Sequence, residues 1–195
     1  EKEFFKLAIA SAFNRFGDSI DALALTWLVY ALSGNAMYSA MNFGINYLPT
    51  IILTPIMGAF IERRNKKRIM ALSDIIRASL VILMITLYMT EHLNVYIIML
   101  ITFMISTLET LRVPASTPLV ASLVSKDKYD IAQSLHTSLS KGAEIIGMGL
   151  AGFLLSTNGI VFTFIIDASA FVISSLLISW LHLTQKNTSH KQSTL

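Results

Sequence analysis

The chain has 195 residues, of which 54% are hydrophobic and only 14% charged, and its net charge is +3. A soluble domain usually carries roughly a quarter charged residues, so we expect lipid to cover much of this surface. The lack of cysteine excludes disulfides and thiolate metal sites, and so apolar a composition excludes a nucleic-acid-binding protein. The first residue is Glu1 rather than Met, so we expect a piece of a longer protein.

Six apolar segments follow one another, each near the roughly 20 residues that a helix needs to cross a bilayer. They predict an all-α integral membrane protein that forms one domain over residues 1–195. The predicted spans are 7–32, 38–61, 69–89, 95–117, 131–155 and 161–181. Short polar loops separate them, so consecutive spans should lie antiparallel.

Basic residues are unevenly distributed among the loops. The second loop contains Arg63, Arg64, Lys66, Lys67 and Arg68, and the fourth contains Lys126 and Lys128. The first, third and fifth loops contain no Lys or Arg. The positive-inside rule therefore predicts cytoplasmic N- and C-termini in a cell membrane of the bacterial type.

Four basic side chains fall inside predicted spans, where a charge costs roughly 3 kcal/mol on insertion scales. Each has an acidic residue three positions away, which places both on one helix face. The pairs are Arg15 with Asp18, Asp74 with Arg77, Glu109 with Arg112, and Lys141 with Glu144. Local neutralisation during insertion and a role in a substrate path both explain such pairs.

Asp21 and Asp167 lack such a partner. Asp21 lies one turn after Asp18, and two carboxylates so close in a low dielectric favour retention of a proton by one of them. We therefore expect Asp21 or Asp18 to bind a coupled proton or cation, with Arg15 as a modulator. For Asp167 we expect a structural hydrogen bond to a neighbouring helix.

Two helices carry patterns typical of a transport path. Asn42 and Asn46 form a polar stripe on the second helix, which Pro49 and Pro55 interrupt; polar groups on a kinked helix are typical of a cavity wall.

On the fifth helix Gly147 lies four residues from both Ala143 and Ala151, and Gly149 and Gly152 are nearby. Small residues at this spacing predict close helix packing in lipid, either static or sliding.

The sequence contains no Gly-rich phosphate loop, no His-Glu-x-x-His and no Gly-x-Ser-x-Gly. We therefore expect no cofactor, no metal site and no enzymatic activity.

Residues 58–67, Gly-Ala-Phe-Ile-Glu-Arg-Arg-Asn-Lys-Lys, resemble the loop signature of the major facilitator superfamily, with Glu62 where Asp is usual and Asn65 where Gly is usual. The stretches 16–18, 24–30, 73–78, 113–115 and 166–171 resemble the branch that contains macrolide-efflux proteins and the enterobactin exporter. Residues 146–152 resemble the fifth-helix antiporter signature, with Met148 in place of the usual Pro.

This resemblance implies half of a twelve-helix fold, in which the six helices form two inverted three-helix repeats and substrate binds between the halves. The C-terminal half would then be absent from this chain. The resemblance also implies that Gly58 allows close packing, that Glu62 acts across the interface between halves, and that Arg63 joins a charge network. The residues expected to form this loop motif and its charge network, which would stabilise one conformation of the transporter, are Gly58, Glu62, Arg63, Lys66, Lys67, Asp74, Arg77, Glu109 and Arg112.

The sequence thus predicts a transporter that exports a drug or small metabolite by alternating access, driven by protons, with the first, second, fourth and fifth helices lining the cavity. The candidate cavity and coupling residues are Asp18, Asp21, Arg15, Asn42, Asn46, Lys141 and Glu144. The expected partners are the bilayer, a small-molecule substrate, protons, and the missing half or a second copy. The alternatives are an importer of a sugar, peptide or nucleoside, a truncated or non-transporting six-span protein, and a membrane enzyme.

Overall fold

The computed structural model describes residues 2–62 and 64–182. The described part is helical, with α1 Lys2–Ser33, α2 Ala36–Glu62, α3 Lys66–Met89, α4 Val95–Glu109, α5 Arg112–Leu123, α6 Tyr129–Thr157 and α7 Gly159–Ser179. A short 3-10 turn, Lys126–Lys128, precedes α6. The all-α prediction is therefore confirmed, with α4 and α5 together forming the fourth span.

Among the described residues, five segments are long and apolar enough to cross a membrane. These are α2, α3, the combined segment Val95–Leu123, the segment Lys126–Thr157, and α7. The helix α1, which carries Arg15, Asp18 and Asp21 along its length, is not among them.

Two asparagine side chains and the backbone of one glycine set several helix ends. Asn65 and Asn94 cap α3 and α4, because their side-chain oxygens accept hydrogen bonds from the backbone N–H groups of Arg68 and Ile97. Gly34 ends α1 with a φ of 63°, a conformation that glycine adopts at little cost. By contrast α2 continues through Pro49 and Pro55, so the expected interruption does not occur.

The fourth span is interrupted where the sequence predicted a continuous helix. The α4 helix ends at Glu109 and α5 begins at Arg112. Pro114 explains the break, because it has no N–H to donate to the carbonyl of Thr110 and its ring collides with that carbonyl. Glu109 and Arg112 consequently lie on two helices rather than on one continuous face.

The spans pair in a pattern that supports two three-helix repeats. The first span, α1, packs against α6 and α7, while the fourth, α4–α5, packs against α2 and α3. The third and sixth, α3 and α7, pack against each other. If the first, second and third spans are matched with the fourth, fifth and sixth, each of these pairings has its counterpart in the other repeat. Corresponding spans are three crossings apart and so run in opposite directions, as inverted repeats require.

The start of α1, the start of α3 and the end of α7 meet at one end of the bundle. The backbone N–H of His182 donates to a carboxylate oxygen of Glu3 at 2.8 Å. The Lys67 ammonium donates to the Leu181 carbonyl at 2.7 Å. The two ends of the described chain therefore lie on the same side of the bundle.

Candidate functional site

A layer of buried polar side chains separates two apolar clusters. The first apolar cluster lies towards the end of α1 and includes Ala24, Leu25, Leu28 and Val29 with Ala78, Val81 and Met84 of α3. The second apolar cluster lies towards the start of α1 and includes Phe4, Leu7, Ala8 and Ala10 together with Met70 of α3. The intervening turns of α1, α3, α4–α5 and α7 contribute charged and hydroxyl side chains. Buried ions in a membrane protein are costly and mark functional paths, so this layer is the candidate site.

The first charge network joins α1, α3 and α4. One Arg15 guanidinium nitrogen lies 3.2 Å from an Asp18 carboxylate oxygen and 2.6 Å from a Glu109 carboxylate oxygen. The other Asp18 oxygen accepts a hydrogen bond from Arg77, which is 1% exposed. The Arg77 guanidinium also stacks on the Phe171 ring of α7, 4.2 Å from its centroid. This network fixes α1 against three other helices.

The second network is centred on Asp74 of α3. Arg112 at the start of α5 forms an ion pair with it. The Asn14 amide donates to Asp74 at 3.1 Å, and the Ser174 hydroxyl lies 2.7 Å from its other oxygen. Asp74 is fully buried, and these polar partners on three other helices compensate for its loss of hydration.

The structure confirms two of the four predicted ion pairs and contradicts the other two. Arg15 contacts Asp18, and Lys141 contacts Glu144 at 2.7 Å. Asp74 and Arg77 share a helix but pair with other helices.

Glu109 and Arg112 also pair elsewhere, with Arg15 and Asp74. The break before α5 removes their common helix face, so the three-residue spacing no longer brings them together.

Two cavities of about 190 Å³ each open beside the charge layer. Arg15 and Lys141 line both of them. One also contains Asn14, Arg112, His136 and Ser140. The other contains the predicted cavity residues Asp18, Asn46 and Glu144, together with Glu109. The cavity walls come from α1, α2, α4, α5 and α6, which are the first, second, fourth and fifth spans.

Three of the predicted polar residues lie away from these cavities. Asn42 is 1% exposed, and neither polar atom of its side chain has a hydrogen-bond partner among the described residues. Asp21 is equally buried and its Oδ1 has no partner there. The hydrogen bond expected for Asp167 is not found, since both of its carboxylate oxygens are buried without a partner in the described chain.

Of the three glycines predicted to pack helices, only Gly147 makes a close contact. A Cβ there would lie 2.7 Å from the Phe16 carbonyl oxygen, so α6 packs on the α1 backbone at this point. Gly149 and Gly152 have no described atom near such a Cβ within 4 Å. Close packing at these two glycines therefore has no partner among the described residues and stays a prediction.

The conformational loop is only partly described. Arg63 lies outside the described residues. Gly58 has no described atom within 4 Å of a Cβ position, so the close packing expected there is not found among the described residues. Glu62 is exposed, and its backbone carbonyl accepts a hydrogen bond from the Lys66 ammonium at 3.1 Å. Lys67, as described above, caps the end of α7.

Sequence reasoning missed Asn14, Ser174 and Phe171, which complete the two networks. A signal for Asn14 was present, because it lies four residues before Asp18 on a helix that already carries buried charge. The sequence contains no comparable signal for Ser174 and Phe171, because serine and phenylalanine are common in apolar spans. Only the approach of α7 to α1 and α3 gives them a role.

A multi-pass helical bundle with buried ion networks beside a polar cavity is an arrangement typical of membrane transport proteins. The family model of the Major Facilitator Superfamily matches residues 7–194, and the chain belongs to that superfamily. Its relatives are bacterial, and the family is one of transporters rather than enzymes. The resemblance seen in the sequence is thereby confirmed.

Individual relatives are similar over most of this chain but extend well beyond it. The uncharacterized MFS-type transporter YkuC of Bacillus subtilis is 29% identical over 91% of the chain, which covers 41% of that protein. The multidrug efflux pump Tap of Mycolicibacterium fortuitum is 24% identical over 86% of the chain and 42% of its own length. Macrolide efflux protein A of Streptococcus pyogenes is 24% identical over 91% of the chain and 44% of its own length. The chain thus spans less than half the length of these curated relatives.

Proposed function

We propose that this chain is the N-terminal half of a proton-coupled exporter of drugs or small metabolites that works by alternating access. The observation that carries the proposal is the ion network of Arg15, Asp18 and Glu109 on the wall of a polar cavity. Relatives named as multidrug and macrolide efflux proteins favour export of a small organic molecule. Substrate would bind between this half and a second one.

The network offers a physical route from proton binding to movement. Asp18 forms ion pairs with Arg15 of its own helix and with Arg77 of α3, and Arg15 forms a second ion pair with Glu109 of α4. A proton on Asp18 would remove the charge that both guanidinium groups face. Because an unpaired buried charge is strongly unfavourable, Arg15 and Arg77 would then seek other carboxylates and α1 would shift against α3 and α4. Asp21, one turn further along α1, would hold the proton that passes to Asp18.

The surface that would meet the second half is proposed to lie on α2 and α6. These two spans are the least buried of the five that can cross a membrane, with 11% and 22% of the residues in their most apolar windows buried. Gly58 and Glu62 lie in the last turns of α2, and Lys66 and Lys67 begin α3. We propose that this region contacts the second half in one conformation only.

Transport in inverted membrane vesicles that contain the full-length protein tests this function. An imposed pH gradient, acid inside, should drive accumulation of a fluorescent drug or a labelled macrolide, and an uncoupler should abolish it. Asp21→Asn should remove the dependence on the gradient, while Asp127→Asn, on the exposed turn before α6, should not. Accumulation that ignores the gradient would contradict proton coupling, and movement in the opposite direction would identify an importer.

A further inference from the structure

Two buried carboxylates within the bundle have no cation to pair with. The described spans contain the acidic residues Asp18, Asp21, Asp74, Glu109, Glu144 and Asp167, and the basic residues Arg15, Arg77, Arg112 and Lys141. All four cations are engaged by Asp18, Glu109, Asp74 and Glu144. Asp21 and Asp167 remain, so the bundle would carry two uncompensated negative charges if both were ionised.

These two residues lie about one helical turn apart along the contact between α1 and α7. The Asp167 Oδ1 atom would be 3.0 Å from a Cβ on Gly17, so its carboxyl touches the α1 backbone there. Asp21 lies four residues after Gly17 and so projects from the same face of α1, one turn away. Phe171, one turn after Asp167, also contacts Gly17 and covers the Arg77 guanidinium.

Their surroundings give an ionised carboxylate little support. Asp167 is 0% exposed and neighbours Phe164, Ala168 and Phe171, which belong to the first apolar cluster. Neither of its oxygens has a hydrogen-bond partner among the described residues, and neither has Oδ1 of Asp21. A buried charge without a partner is far more costly than a neutral carboxyl group. Both residues lie outside the linings of the two cavities beside the charge layer.

The charged groups that face this pair come from several helices. Asp18 lies on α1 itself, Arg77 comes from α3 and Glu109 from the end of α4. Arg112 of α5 forms an ion pair with Asp74, and Lys141 forms one with Glu144 on α6 beside the cavity. The hydrogen bond of Arg77 goes to Asp18 rather than to this pair, and its Nε and Nη1 have no partner in the described chain.

We propose that Asp21 and Asp167 form a second, enclosed proton-binding site between α1 and α7, in which both carboxyl groups are protonated at neutral pH. We assign protons as the occupant; within residues 2–62 and 64–182 no group of three or more His, Cys, Asp or Glu side chains is arranged to bind a metal ion. The site assigns Asp167 a proton-carrying role in place of the structural one expected from sequence. The protonated state stands on the charge balance alone, whereas its use in transport rests on the proposed function.

Infrared spectroscopy of the purified full-length protein tests the site without any transport step. The wild type at neutral pH should show the C=O stretching band of protonated carboxyl groups. Asp167→Asn and Asp21→Asn should each remove part of this band, and the double variant should remove it. Asp127→Asn, an exposed residue, is the matched control and should leave the band unchanged. A wild type without the band, or a band that survives in the double variant, would overturn the proposal.

Two further measurements test whether a metal cation occupies the site and whether the band belongs to Asp167. Spectra recorded with sodium and with choline as the only cation should be identical, and loss of the band in sodium would overturn the proposal by making a metal cation the occupant. If Asp167→Asn does not fold, Asp167→Glu should keep a protonated band at a shifted frequency, and an unshifted band would contradict the assignment. Should the uncoupler leave efflux intact while the band behaves as expected, the protonation site stands and only the proposed coupling fails.

Discussion

Arg77 shows how strongly a single buried cation depends on its neighbours. It is the largest fully buried side chain in the described structure, held by Asp18 and by the Phe171 ring. Removal of one partner of a buried ion pair costs about 3–5 kcal/mol, because the remaining charge stays buried without compensation. Asp18 keeps one further contact, to Arg15 at the cavity wall.

We therefore predict that Arg77→Gln lowers the unfolding free energy by about 3 kcal/mol and that Asp18→Asn in the same background restores part of the loss. Thermal unfolding in detergent, followed by circular dichroism, measures both effects. Lys126→Gln, on the exposed turn before α6, should leave the midpoint within error. Equal losses in Arg77→Gln and Lys126→Gln would show that Arg77 is not held in a buried pair.

At the scale of helices, the contact between α1 and α6 depends on one missing side chain. Gly147 meets the Phe16 carbonyl, and a Cβ at 2.7 Å is closer than real Cβ contacts come. The helices would have to separate, and because protein interiors are close-packed, neighbouring contacts on the cavity wall would open as well.

We predict that Gly147→Ala destabilises the protein by about 1–3 kcal/mol, the usual cost of overpacking, and weakens substrate transport. Gly142→Ala is the matched control on the same helix, because no described atom lies within 4 Å of its Cβ position. Alanine favours a helix over glycine, so this control should be neutral or slightly stabilising. A control that loses as much stability as Gly147→Ala would contradict the close contact.

At the scale of the whole molecule, the orientation in the membrane remains a prediction from the basic loops. The absence of cysteine from these 195 residues makes single-cysteine labelling clean. With the termini inside, a membrane-impermeant maleimide should label His92→Cys and Ser156→Cys in intact cells. Arg64→Cys and Lys126→Cys should react only after permeabilisation. The reverse pattern would place the basic loops outside.

Each predicted span overlaps a helix of the structure or, for the fourth span, the pair α4 and α5, but the partners of the buried charges were not all predicted. Spans follow from runs of apolar residues, a local property that lipid enforces. The partner of a charge depends on helix packing, and a three-residue spacing reports only neighbours on the same helix. Arg112 pairs with Asp74, 38 positions earlier, because Pro114 breaks the fourth span and α5 approaches α3. Asp167 was misjudged for the same reason, since its isolation is visible only once α1 covers it.

The long-range ion pairs of α1 also constrain how the protein is made. Arg77 follows Asp18 by 59 residues, and Glu109 follows Arg15 by 94. The ribosome therefore delivers α1 to the translocon well before its charged partners on α3 and α4 exist, and lipid alone is a poor solvent for its charges. We therefore expect the first helix to wait at the translocon or in contact with water until α3 and α4 emerge. Membrane insertion of this bundle would then be concerted rather than a sequence of independent helix entries.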